Sequence, residues 1–310
     1  MYFSDEIGQR TGALFVRFQR DPHQSRWLRA VNRHRLSYSP MKYHFAEMIW
    51  HEIRDASRAG RVAVLPVATY EDHGPHLPVD TDVVLCTGIC ERAVARIPGE
   101  AVLVPPVSHG YSPHHMDFHG TLTITWDTFI RYVKDVCCSL AHHGFERILI
   151  VNGHGSNASP LDLAARLTVL EFEGRIHCAS VSHWDLRRAK DEGARLRDSD
   201  YGGTSHGGEY ETSLYLALKP ELVEMEKAVD ERSPMSPSFR TDLLAGTHPQ
   251  GSGARLVPYW SSQTASGVMG DARSATKQKG DAWLEAAVGG LVELVRELRE
   301  QPILPRRDQH

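Results

Sequence analysis

Residues 61–82 read RVAVLPVATYEDHGPHLPVDTD. An apolar run without polar alternation leads into a turn dense in acids and histidines, and the chain then continues as DVVLCTGICERAVARI over 82–97. The unalternating apolar run is the signature of a strand buried on both faces, and the segment that follows has helical spacing. The unit recurs. Strand-like runs AVLVPPV (101–107), RILIVN (147–152) and RIHCASVS (175–182) are separated by the helical patterns WDTFIRYVKDVCCSLAHHG (126–144) and SPLDLAARLTVLEFEG (159–174). Strands that alternate with helices predict an α/β fold, with a mainly parallel sheet covered by helices on both faces.

Working outward, YHFAEMIWHEIRDASRAG (43–60) places Phe45, Met48, Ile49 and Ile53 at helical spacing and stops at Gly60. Residues 1–41 are polar, rich in Arg and His, and without sustained periodicity, so they are expected to form an arm outside a single domain of 42–310. After a helix in YETSLYLALKP the texture turns Ser-, Pro- and Gly-rich over about 232–256. Two readings stay open for this insertion, a cover over the site and a plain surface loop. The chain closes with an amphipathic helix in ATKQKGDAWLEAAVGGLVELVRELRE (275–300).

Composition excludes several functions. The formal charge is -4 and no basic block is present, so nucleic acid is not an expected partner. No apolar run reaches the roughly 20 residues of a membrane span, and the first residues lack the order of a signal peptide, so a cytoplasmic location is expected. Five cysteines without CxxC spacing indicate free thiols, with neither a disulfide framework nor a zinc knuckle.

Ligand sites of open α/β sheets lie beyond the carboxyl ends of the strands, and the 18 histidines acquire meaning there. Glu71 and His73 follow the first strand, two residues apart, so an extended chain projects both to one side and Asp72 to the other. Asp82 opens the next helix, either as a ligand that bridges two cations or as a helix cap. His154 stands in the turn NGHGSN, and Glu209 in SHGGEYETS. Singly, each has an ordinary capping or turn role; together they form a mixed nitrogen and oxygen donor set suited to Zn²⁺, Mn²⁺ or Fe²⁺.

The segments TYEDHGPHLPVDTD (69–82), ILIVNGHGSN (148–157), HGGEYETS (206–213) and GVMGDARSATKQKG (267–280) together resemble the creatininase family of amidohydrolases over about Phe45 to Leu294. The resemblance implies a Rossmann-like fold, a pair of divalent metal ions (zinc, manganese or both, with iron compatible) and a homo-oligomer, commonly a hexamer. It also implies Glu71, His73, Asp82 and His154 as ligands, with Asp82 as the bridge. The family's namesake branch has a carboxylate two residues after the histidine of the NGH turn, where this chain has Ser156. Glu209 is therefore assigned as the last ligand and a member of the catalytic set, with Glu211 in reserve.

The resemblance further implies His206 as general acid to the leaving nitrogen, with a role as orienter of a ligand as the alternative. It gives Trp184 as one wall of a substrate clamp whose second tryptophan is replaced by Gly202. His115, with His76 and His114, is expected at the mouth of the site, and His115 is a candidate substrate contact. The implied activity is hydrolysis of a C–N bond in a small cyclic amide, lactam or N-formyl compound other than creatinine. A noncatalytic metal-binding scaffold is the competing reading. A redox enzyme would want a GxGxxG turn where VATYEDHGPH stands.

Overall fold

The computed structural model describes residues 41–236, 238–239, 242–245 and 254–310. The arm expected over 1–41 thus lies outside the described residues apart from Met41, as does much of the Ser/Pro/Gly segment.

The sheet has four strands, β1 (Val62–Val67), β2 (Ala101–Leu103), β3 (Arg147–Asn152) and β4 (His177–Ser182), in the order β2-β1-β3-β4. All pairings are parallel, with Ala63 opposite Ile148 and Ile148 opposite Cys178. Pro66 is tolerated in β1 because β2 has already ended at Leu103; its carbonyl accepts a hydrogen bond from Val107 N (3.0 Å). Between the strands run α1 (Trp50–Arg58), α2 (Thr81–Arg96), α3 (Trp126–His142) and α4 (Ala158–Glu171). After β4 come α5 (Arg187–Leu196), α6 (Glu209–Leu218) and α7 (Lys277–Glu300).

Alternation along the buried strands sorts the core into two layers. Val62, Val64, Leu149 and Val151 face α2, α6 and α7, whereas Ala63, Leu65, Ile148 and Ile150 face α1, α3 and α4. A short antiparallel pair, β5 (Asp230–Glu231) and β6 (Gly270–Asp271), ties the chain before the Ser/Pro/Gly segment to the chain after it. Sequence periodicity missed α5, RRAKDEGARL, which buries only Ala189 and Gly193 and so shows almost no apolar stripe.

The strand order fixes where a ligand can enter. From β1 the chain crosses to β2 on one side and to β3 on the other, so a crevice opens beyond the carboxyl ends of β1 and β3. Helices α6 and α7 complete the wall and pack closely because Gly280 has no side chain: a Cβ there would stand 1.8 Å from the Ser213 carbonyl oxygen. Gly280→Ala is accordingly expected to force the two helices apart, at a cost of roughly 1–3 kcal/mol for overpacking. The measurement is the urea midpoint, and an unchanged midpoint would show that the helices have slack.

Candidate metal centre

The turn after β1 delivers Glu71 and His73 to one point, and the start of α2 delivers Asp82. The turn after β3 brings His154, and the first turn of α6 brings Glu211. All five side chains are buried. His73 Nδ1 lies 3.2 Å from the Glu71 carbonyl oxygen, which leaves Nε2 facing Asp82 Oδ1 at 3.1 Å and Glu211 Oε2 at 3.7 Å. His154 Nδ1 lies 3.0 Å from Glu71 Oε1 and 3.3 Å from Asp82 Oδ2. The two oxygens of Asp82 thus face two different histidines. Asp82 is not the helix cap: that position belongs to Asp80, and the Asp82 carboxylate is turned into the cluster.

Glu209, expected as the last ligand, is not brought to the cluster, whereas Glu211, the reserve candidate, is. The Glu209 carboxylate accepts hydrogen bonds from Asp198 N (2.9 Å), Ser199 N (3.0 Å) and Ser199 Oγ (2.5 Å), and pairs with Lys279 Nζ (2.5 Å). The reason is periodicity. Glu209 is the first residue of α6, and residues two apart on a helix point roughly 200° away from each other, so only one of the two glutamates can face the cluster. Ser156, likewise, donates to or accepts from His114 Nε2 at 3.1 Å.

His206 joins the rim of the cluster. Its Nε2 lies 2.7 Å from the Asp72 carbonyl oxygen, an acceptor only, so Nε2 carries the proton and Nδ1 presents a lone pair 3.6 Å from Glu71 Oε1. The turn that carries it passes close to His73: Gly207 has φ +63°, and a Cβ there would meet the His73 carbonyl oxygen at 3.0 Å. His115 lies against Asp72, Nδ1 to Oδ1 at 2.8 Å, with Nε2 3.7 Å from Glu71 Oε2. His76 is a loop support whose Nε2 meets Thr212 Oγ1 at 2.8 Å.

The electrostatics are those of buried acids that share their counter-charge with imidazoles. Burial opposes charge on His73, but Asp82, Glu211 and Glu71 outweigh it and lift its pKa to about 10. His154 is likewise opposed by burial and raised to about 10 by Glu71 and Asp82. Burial pushes the Glu211 carboxyl up to about 7, against the pull of His73. For Asp82, burial is overcome by His73 and His154, which hold its carboxyl below the ordinary range. Burial and the neighbouring positive histidines keep His206 well below its usual value, hence neutral.

This donor set fits divalent metal. Groups of three ligand atoms lie within 4.8 Å of one another, including Glu71, His73 and Asp82, and His73, His206 and Glu211. Among the described residues, Asp82 Oδ2 and His154 Nε2 are buried without a hydrogen-bond partner.

The centre floors a cleft of about 600 Å³ whose walls include Trp184 and Trp260. Trp184 is buried. Trp260 lies face to face with His115, centroids 4.5 Å apart, and edge-on to His206 at 5.1 Å. Sequence reasoning missed it, because it follows the Ser/Pro/Gly segment without local periodicity. Its neighbour in the motif GVMGDARSATKQKG was the available signal: the indole N–H donates to Gly267 O at 3.1 Å.

A profile described as "Creatininase: Creatinine amidohydrolase" matches residues 46–295. The chain belongs to the creatininase family. It is 30% identical over 266 residues to creatinine amidohydrolase of Pseudomonas putida, covering 81% of this chain and 95% of that protein. It is 27% identical over 276 residues to 3-dehydro-scyllo-inosose hydrolase of Thermotoga maritima, covering 84% and 85%. A crystal structure of creatinine amidohydrolase matches with a TM-score of 0.70 at 28% identity, over 84% of this chain and all but 1% of that one (99% covered). A manganese creatininase matches as well (TM-score 0.70, 28% identity, 84% and 100% covered). Creatininase-family relatives thus share the fold while their names assign them different substrates. Among the described residues of this member, no helix is long and apolar enough to cross a membrane.

Two outcomes follow for metal binding. Glu211→Gln is expected to lower bound metal by about one equivalent, whereas Glu209→Gln keeps the metal content and loses roughly 1–3 kcal/mol of stability through its broken hydrogen bonds. Elemental analysis beside urea denaturation separates the two glutamates, and the reverse pattern would restore Glu209 as the ligand. Since His73 and His154 each hold a proton at pH 7 when no metal is bound, metal uptake is expected to release about two protons and to weaken as pH falls. Calorimetry in buffers of different ionisation enthalpy counts them; a count near zero would remove both histidines from the ligand set.

Proposed function

We propose that this creatininase-family chain is a divalent-metal-dependent hydrolase that cleaves a C–N bond of a small cyclic amide, lactam or N-formyl compound. In this reading two ions would be held by Glu71, His73, Asp82, His154 and Glu211. The observation that carries it is Asp82, whose Oδ1 faces His73 Nε2 and whose Oδ2 faces His154 Nδ1 on its other side. A carboxylate so placed suits a bridge between two cations. Bound ions of this kind polarise an amide carbonyl and make water a nucleophile near neutral pH.

The chain's own residues supply the rest. His73 is oriented through Nδ1 by the Glu71 carbonyl, and Glu71 is oriented by Ser112, whose Oγ donates to Oε2 at 2.5 Å. His206 is neutral, with its free Nδ1 turned to the centre, so it acts first as a base. It takes the proton of the attacking water at Nδ1 and hands the same proton to the leaving nitrogen. The general acid expected from the sequence is therefore loaded during the reaction. Backbone attachment through Nε2–H to Asp72 O keeps the tautomer fixed across the cycle.

Support for a substrate other than creatinine comes from the walls. Gly202 stands where the family resemblance places a second tryptophan, and Trp260 is stacked on His115. The names of two relatives, 3-dehydro-scyllo-inosose hydrolase and mycofactocin precursor peptide peptidase, support a substrate that varies within the family.

The test begins with the metal-loaded protein and a panel of five- and six-membered lactams, cyclic ureides and N-formyl amines. Complete absence of turnover at full metal content would sink the reading in favour of a noncatalytic scaffold. With a substrate in hand, His206→Asn is expected to lower kcat by roughly 10²–10⁴ with KM and metal content little changed. Recovery of the rate on adding metal would instead make His206 an orienter or ligand.

A further inference from the structure

Among the described residues, lysines and arginines beside the cleft are paired with acids. Arg197 pairs with Asp242 at 2.9 Å, Lys190 with Asp185 at 3.0 Å and Lys279 with Glu209 at 2.5 Å. Arg255 lines the cleft, is exposed, and has no ion pair or hydrogen bond among the described residues. It is also the single lysine or arginine among the lining residues. We propose that the substrate carries a carboxylate or similar small anion away from its scissile amide, and that Arg255 recognises it.

The acids of the cleft leave Arg255 without an internal partner. Glu71, Asp82 and Glu211 converge on the centre, Asp242 is buried against Arg197 and Thr204 Oγ1, and Asp185 has Lys190. A guanidinium in this position presents a planar fork of donors that matches a carboxylate. The chain is tied immediately before Arg255 and again at residues 260 and 261. Ala254 bridges to Phe239, while Trp260 is tied to Gly267 O and Ser261 Oγ donates to Asp117. The flanking cleft residues Leu256 and Val257 are apolar, and among the described lining residues the guanidinium is the lysine- or arginine-type cation available to an anion.

This inference rests on the hydrolase reading of the same cleft, and the test keeps the two apart. The metal-loaded full chain is assayed on matched probes that differ only in the remote group: N-formyl-β-alanine against its amide, and pyroglutamate against pyroglutamamide. The carboxylate of an active pair is expected to be favoured about 10-fold in kcat/KM, mainly through KM, and less so in high salt. Arg255→Met should abolish the preference and Arg255→Glu reverse it. Equal turnover of an active pair, or a preference that survives Arg255→Met, overturns the proposal. If no probe is hydrolysed, the hydrolase reading is what suffers, and calorimetric binding of glutarate against glutaramide then decides. Tighter binding of the dianion by about 10-fold in wild type but not in Arg255→Met supports recognition by Arg255, and equal binding refutes it.

Discussion

Three carboxylates, Glu71, Asp82 and Glu211, are buried in one small volume, and everything around them answers to that charge. Isolated buried carboxylates are costly, so positive charge must sit among them. Without metal the protein supplies it as protons, on His73 and His154 and partly on Glu211, whose carboxyl is pushed up to about 7. Metal and protons therefore compete for one place.

The sheet makes this crowding achievable. Its four parallel strands point their carboxyl ends the same way, and the change of direction between β1 and β3 keeps that end open. The groups that converge come from turns and helix starts, where the backbone is not committed to the ladder. A second tier then holds them: Ser112 on Glu71, the Glu71 carbonyl on His73, and the Asp72 carbonyl on His206. None of these supports lies far from a strand end.

Much of this was legible in the sequence for a plain reason. Strand β1 carries an unbroken apolar run that is buried throughout, and Glu71 and His73 follow it on extended chain, where residues two apart share a side. The resemblance favoured Glu209 and kept Glu211 in reserve, but the helix has already begun at Glu209, so a separation of two reverses direction and only Glu211 reaches the cluster. Glu209 faces Lys279, which is 70 residues away in sequence, and no local pattern announces such a pairing. Trp260 and Arg255 follow the Ser/Pro/Gly segment without local periodicity; Trp260 is tied to Gly267 O, and Ala254, next to Arg255, bridges to Phe239. The polar helix α5 left no apolar stripe to read.

The pairing of Glu209 with Lys279 also bears on how the protein is made. Glu209 opens the helix that carries Glu211, and its fastening comes from the first turn of the last helix, which also covers Tyr210 with Trp283 (ring centroids 5.5 Å apart). A nascent chain on the ribosome can pair β1 through β4 as they emerge, since domains fold from the N-terminal side during synthesis. It cannot add the Lys279 and Trp283 contacts to α6 until residues 277–300 have left the exit tunnel. The acids thus come together late, and a chain halted before Lys277 would expose the apolar faces of β1, β3 and α6 to the quality-control machinery before it could hold a metal ion.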